Sequence, residues 1–271
     1  MRIMGMTPKV WLTVVAMLSL IFVACGEDNG EGEDNQQQNQ TNNQNNDQNN
    51  DETLELCNDG EDPEFESEYA LRFNEFEFLD GSPGHELNEL IKSFLDQSRD
   101  YPIIVLLELM ELDAQAGDVR VRGGAGLHAE TEGEYVWDDE VEEPDETDAS
   151  IDEEGRLQAE LGLLNFVATV QTEDDTLKTV IPIRDIELEA TIRADEDGSN
   201  PCIDDGELQG YVVQEEVEDV RIALQEGASG TRLELVLGEE NINADYSGDG
   251  EDDAWWMEAE FSAEETVIVE E

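Results

Sequence analysis

Few side chains in this sequence are of the kind that carry chemistry. Its two histidines, His85 and His128, do not stand at zinc-type spacing. Gly227-Ala228-Ser229-Gly230 misses the G-x-S-x-G nucleophile elbow. With 72 Asp and Glu in 271 residues, a carboxylate pair at acid/base spacing carries no information. Gly123-Gly124-Ala125-Gly126 lacks the third glycine of a dinucleotide fingerprint, and no phosphate-loop lysine follows; a bulge or a close strand crossing is expected there. No catalytic residue is therefore assigned. The best constellation is Asp245-Tyr246-Ser247-Gly248-Asp249-Gly250-Glu251-Asp252-Asp253. Asp245, Ser247 and Asp249 alternate as oxygen ligands, Gly250 holds the sixth position, and Asp252 and Asp253 add further oxygens, a set suited to a hard cation such as Ca²⁺.

That run resembles the first half of an EF-hand-type calcium loop. It departs from the pattern at position twelve, where Trp256 replaces the bidentate acid. Asp195, Asp197 and Asp204, beside Cys202, form a second, weaker cluster. Two readings stay open for Asp245–Asp253: a structural calcium site that clamps a turn, or a plain acidic turn. No other cofactor is expected.

The three cysteines divide by context. Cys25 follows a leader with three parts: a basic start with Arg2 and Lys9, an apolar run from Val10 to Ala24, and Phe22-Val23-Ala24-Cys25. The run is about 15 residues, shorter than the ~20 a membrane-spanning helix needs. The last four residues resemble the lipobox of bacterial lipoproteins, with Phe22 where Leu is usual. The resemblance implies a signal peptide over residues 1–24, diacylglycerol and palmitate on Cys25, and Cys25 as the mature N-terminus. It further implies anchoring through the acyl chains. Gly26, rather than Asp, then favours the outer membrane, on its periplasmic or its surface face. Two or three acyl chains at about 0.8 kcal/mol per CH₂ hold a protein firmly where one does not. In such an oxidising compartment Cys57 and Cys202 read as one disulfide. It would close a loop of about 145 residues and contribute nominally ~4–5 kcal/mol in the chain-entropy model.

Residues 25–56 form the expected tether. Fourteen of the sixteen residues from Asn35 to Asn50 are Asn or Gln, with acids on both sides. Such a composition buries too little apolar area to offset its ordering entropy, so disorder is expected. Its random-coil span is roughly 30 Å. Loss of Arg2 and Lys9 with the leader leaves 11 basic against 72 acidic residues, a net charge of −61. That balance excludes nucleic acid as a partner, and anionic lipid surfaces would repel the folded part. Thirteen of the 23 residues from 132 to 154 are acidic, and a solvated face is expected there.

The elements that must position these residues lie in 57–271, with a possibly distinct C-terminal part from about 203. Tyr69–Leu79 reads as a strand. The Gly81–Gly84 turn then leads into an amphipathic helix of about 12 residues carrying Leu87, Leu90, Ile91, Phe94 and Leu95. Tyr101–Leu112 reads as a buried strand and Val119–Ala129 as another. Arg156–Gln171 and Leu177–Ile192 read as a long hairpin, with a phase slip at Arg184-Asp185 of the kind a bulge makes. Leu208–Val213, Trp255–Phe261 and Thr266–Val269 are further strands; Val217 to Leu224 suggests a short helix, and Leu233–Leu237 is ambiguous. Consecutive strands imply antiparallel pairing. The expected fold is mainly β, a sandwich or partly closed barrel with one or two short helices. The expected function is a non-catalytic envelope or surface lipoprotein serving interaction or structure, its protein or lipid ligand unknown. The alternative is a carrier of lipid or small apolar ligands, with the helix lying over a curled sheet and enclosing a cavity.

Overall fold

The computed structural model describes residues 65–96, 102–142, 144–171, 176–195, 198–222 and 230–270. Two strands dominate, β6 (Arg156–Gln171) and β7 (Thr176–Thr191), and they pair from Arg156↔Thr191 to Gln171↔Thr176. Along β6 the positions in the main core run Leu157, Ala159, Leu161, then Leu164, Phe166, Ala168, while Leu163 and Val167 are buried outside it; along β7 the core positions run Ile181, Ile183, then Ile186, Leu188, Ala190. Both strands change phase at one level, at Gly162 and at Asp185, whose φ is +46°. A residue set out of the ladder on each strand bends the hairpin, so one face stays on the core along its whole length.

The other strands are β1 (Tyr69–Phe78), β2 (Val105–Asp113), β3 (Asp118–His128), β4 (Glu134–Trp137), β5 (Glu146–Ile151), β8 (Cys202–Val213), β9 (Arg221–Ile222), β10 (Thr231–Arg232), β11 (Ala254–Glu265) and β12 (Val267–Ile268). Pairing runs β4-β3-β2-β1-β11-β8-β7-β6-β5, and β5 also pairs β3, so eight strands form a ring-like sheet. The fold is mainly β, as expected, and takes the partly closed alternative rather than two stacked sheets. β8 and β11 lie side by side between β7 and β1, so these later strands belong to the same sheet, while β9 and β10 pair with each other in a separate two-stranded sheet. One pairing departs from the antiparallel expectation: β12 lies parallel to β4, which makes the sheet mixed.

Most acids of the stretch 132–154 are exposed, the solvated face expected, but the stretch also holds two strands not expected from the sequence. It contains β4 and β5, with Tyr135, Val136 and Ile151 buried, and the acids fall between and outside those positions. β2 is apolar on both faces for a related reason. Val105, Leu107 and Leu109 face the ring interior, while Ile104 and Leu106 meet Tyr135, Trp137 and Ile268 under β4 and β12. The β3 glycines make that second layer possible. A Cβ at Gly126 would stand 2.5 Å from Leu106 Cδ1, and one at Gly124 2.8 Å from Pro144 Cγ. β3 keeps its register against β2 through these glycines, so no bulge forms there, and what their missing side chains admit is Leu106 and Pro144.

The helix α1 (Asn88–Leu95) is shorter than expected, because Pro83–Leu87 is a 3₁₀ turn. Asn88 ties its start to β1: its Oδ1 accepts from the Phe78 N–H at 2.8 Å and its Nδ2 donates to the Phe78 carbonyl at 2.8 Å. In the stretch expected to be helical from Val217, α2 (Gln214–Val217) ends early and β9 follows; the ambiguous Leu233–Leu237 is α3. Ile91 of α1, Ile222 of β9 and Leu237 of α3 meet Phe166, Ile181 and Met257 at the edge of the ring's core.

Candidate functional site

The loop expected to bind calcium joins the 3₁₀ turn Glu239–Asn241, after α3, to β11, and its ends are zipped by the Ala244↔Ala254 bridge. Asp245 organises it. Its Oδ1 accepts from the N–H groups of Gly248 (2.8 Å) and Asp249 (3.1 Å), and its Oδ2 from that of Gly250 (2.9 Å). Asp253 accepts from the Tyr246 N–H (2.7 Å) and the Ser247 N–H (3.2 Å), and Asp249 from the Glu251 N–H (3.0 Å). Gly248 and Gly250 supply positive φ, +74° and +95°, where side chains are disfavoured. Hydrogen bonds from Ser247 lead the effects that hold the Asp253 carboxyl below its ordinary range. Asp245 and Asp253 therefore already have partners, in loop amides. Asp252 is exposed, and the structure does not bring it together with Ser247 and Asp249 into a ligand shell. Among the described residues no three or more His, Cys, Asp or Glu side chains converge as a metal site.

Cys202 opens β8 and is buried, and its sulfur is disulfide-bonded. Cys57, the partner expected from the sequence, lies outside the described residues, as do Cys25, the leader and the tether. In the second acidic cluster, Asp195 accepts from Asn200 Nδ2 at 2.6 Å and Asp204 pairs with Arg193 at 3.2 Å; Asp197 lies outside the described residues. His85 faces Asp80 at 3.5 Å and Asn88 at 3.3 Å, and His128 lies 5.2 Å from the Tyr135 ring. The two histidines stand on separate elements and converge on no common group.

Most cationic side chains among the described residues are engaged. Arg72 pairs with Glu264 and lies 5.7 Å from the Tyr135 ring; Arg122 lies 4.4 Å from the Trp137 ring and 4.0 Å from Glu108. Arg184 bridges Glu142 and Glu216 at 3.2 and 3.1 Å. Lys178 reaches the fully buried Asp138 carboxylate at 3.0 Å and Glu140 at 2.7 Å. Burial works to lower the Lys178 pKa, but the hydrogen bonds to Glu140 and Asp138 outweigh it and raise the ammonium above its usual value. Glu108 is pushed up, first by burial, against the pull of Arg122.

The interior of the ring is filled by side chains. Phe73 stacks on Phe261 at 4.3 Å, and Phe76 meets Phe166 at 4.6 Å and Phe78 at 5.0 Å. Under α1 the apolar space left over is about 20 Å³. That is room for about one water, whereas small-ligand sites run to some hundreds of Å³.

Sequence reasoning missed an open groove of about 480 Å³ over neighbouring bulges. β1 slips register against β11 between Phe73 and Glu75, and β11 slips against β8 between Phe261 and Ala263. The bulges bring Asn74, Glu75 and the buried Ser262 together, Ser262 Oγ donating to Asn74 Oδ1 at 2.9 Å. Lys92, Asp204, Asp205 and Glu260 complete its walls. Such a recess can hydrogen-bond a hydrophilic group, yet among the described residues no base and orienting partner form a nucleophile relay around Ser262. The signal was present in the sequence: the apolar positions Phe73 and Phe76 are three apart, which breaks the alternation that Leu71 and Phe73 begin.

The fold and these sites define a mainly β protein with a ring-like mixed sheet, a packed interior and an acidic exterior. Comparison of the chain with protein-family models, with curated proteins and with solved structures returned no match in any of the three.

Proposed function

We propose that the protein is a lipid-anchored, non-catalytic module of a bacterial envelope, held at the outer membrane, whose folded part acts through its outer surface in interaction or architecture. The observation that carries the role of the folded part is the packed ring: with about 20 Å³ left under α1, the surface is what remains for recognition. The same observation weighs against the lipid-carrier alternative. Anchoring is supported by Phe22-Val23-Ala24-Cys25 and by the Asn/Gln-rich stretch after it. On this reading acyl chains on Cys25 fix the protein to the membrane, the tether holds the folded part clear of it, and a Cys57–Cys202 bridge ties the tether's end to β8. The test is metabolic labelling with palmitate and fractionation of the envelope, with Cys25→Ser beside the native chain. Label and outer-membrane sedimentation that both vanish in Cys25→Ser are expected. A native chain that takes no label and leaves with the soluble periplasmic fraction would refute the reading.

A further inference from the structure

Five adjacent strands of the ring, β6, β7, β8, β11 and β1, turn one face to solvent, and their register sets like charges side by side on it. Glu189 stands directly opposite Glu207, Glu207 opposite Glu260, and Glu260 opposite Glu77. On neighbouring strands about 4.8 Å apart, these four make a row roughly 14 Å long. A further like-charge pair, Glu160↔Glu187, lies on the same face. All six side chains belong to exposed residues. Among the described residues none of the six is ion-paired, and Lys92, on the wall of the groove beside the row, forms no ion pair with them. Like charges set directly opposite destabilise a sheet, so the row works against the fold that holds it.

Farther along the same strands the face changes character. Four residues from Glu207 on β8 and from Glu260 on β11, about 13 Å away, Tyr211 stands opposite Trp256. Their rings are 4.7 Å apart at 63°, and Tyr246, from the Asp245 loop, lies 5.3 Å from Tyr211. All three residues are half-buried, so part of each side chain stays in water. Their backbones are held without any partner. The Trp256 N–H donates to Asn243 Oδ1 at 2.8 Å, and the Tyr246 N–H to Asp253 Oδ1 at 2.7 Å. Half-exposed Trp and Tyr on a rigid support are the side chains that anchor interfaces, because they cover a large area at little loss of rotamer freedom.

We propose that this face docks a basic protein partner, whose arginine side chains stack on the Tyr211–Trp256–Tyr246 cluster and pair with the glutamate row. The aromatic cluster carries the inference, and the charge around it selects the occupant. Both halves of the face call for one side chain: a guanidinium is planar, always charged, stacks on aromatic rings and forks onto a carboxylate. A metal ion would use the carboxylates and leave the rings idle. A neutral apolar partner would use the rings and strip water from the acids without replacing it. A basic partner also removes the repulsion along the row. The row and the rings enclose roughly 200 Å², small against the about 800 Å² per partner of a stable complex, so the contact is transient and weakens with salt.

The inference rests on the reading of the folded part as an interaction module, and its test is independent of anchoring. The purified protein is titrated with fluorescein-labelled nona-arginine and nona-lysine peptides at low and high salt, followed by anisotropy. Nona-arginine is expected to bind more tightly than nona-lysine and to weaken as salt rises. In the native chain it should shift amide resonances of residues 187–189, 207–211 and 256–260, a footprint that requires no variant to fold. Trp256→Leu, which keeps an apolar side chain in place, should weaken nona-arginine about two- to fivefold and nona-lysine less. Glu207→Gln with Glu260→Gln should weaken binding more than Glu130→Gln with Glu132→Gln, the same change of charge in the turn between β3 and β4, which joins strands outside these five. Equal losses from the two double variants would show a general polyanion effect and overturn the proposal. Unchanged binding in Trp256→Leu, a footprint confined to other segments, or no binding of nona-arginine would overturn it as well. Docking that fails while palmitate labelling succeeds removes this inference and leaves the anchored module standing.

Discussion

Phe166→Ala is the substitution that most directly tests whether the ring is a packed core. Phe166 is 3% exposed, faces Phe76 at 4.6 Å with rings tilted by 57°, and borders the small void under α1. Removing a buried phenyl group from a filled site costs about 3–5 kcal/mol, because the lost transfer energy and the new cavity add. The Phe76 contact accounts for roughly 0.5–1.5 kcal/mol of that, which a double-mutant cycle with Phe76→Leu would isolate. At 1.4 kcal/mol per factor of ten, the equilibrium shifts toward unfolding by about two to nearly four powers of ten. Urea unfolding followed by tryptophan fluorescence is the assay, since Trp255 is fully buried and reports on the core. The midpoint should fall with the slope unchanged. A loss below about 1 kcal/mol, or a variant that purifies with an apolar ligand, would show that the ring tolerates interior space and would revive the carrier reading.

Other expectations follow from single contacts. Gly155→Ala should cost well over the roughly 1–2 kcal/mol of a left-handed non-glycine residue, because its Cβ would stand 2.3 Å from the Ile192 carbonyl oxygen. Gly81→Ala, at φ +93° in open space, should cost only the conformational part, and comparison of the two melting curves isolates the clash. Glu108 has a folded-state pKa raised above 4.5, so its ionised form opposes folding at neutral pH and that opposition fades as pH falls through the folded value. Glu108→Gln should therefore raise Tm at pH 7 by less than about 1 kcal/mol equivalent, with no gain near pH 4; a gain that persists at low pH would contradict the sign. Asp245→Ala should destabilise by about 1 kcal/mol, through the three amides it releases, and by more than Asp249→Ala, which releases one; equal Tm shifts would refute that ordering.

The long hairpin was legible in the sequence because β7 and the first half of β6 alternate apolar with polar residues, and even the slip at Arg184-Asp185 marked the observed register shift. The second half of β6 is buried on both faces from Leu163 to Ala168. β4 and β5 were not legible. Their apolar residues are few, and the carboxylates in and between them, Asp138, Glu142 and Glu146, read as a solvated face until Lys178, Arg184 and Arg120 are placed against them. The two-residue β12 is too short to carry a period, and its parallel pairing with β4 depends on a mini-core that sequence spacing does not announce. The Asp245 loop was recognised as a turn, but its carboxylate–amide bonds depend on backbone directions that residue types alone leave open.

The position of β11 bears on how the protein comes into being. It lies between β1 and β8, and the Arg72–Glu264 pair joins residues 192 apart in the chain. Until β11 emerges, β1 and β8 have no bridge and the early strands hold an apolar face without its lid. Contacts this remote slow folding, since the intervening chain must be ordered before they form. On the envelope reading proposed above, a chain exported N-terminus first could not close its ring before β11 had crossed the membrane.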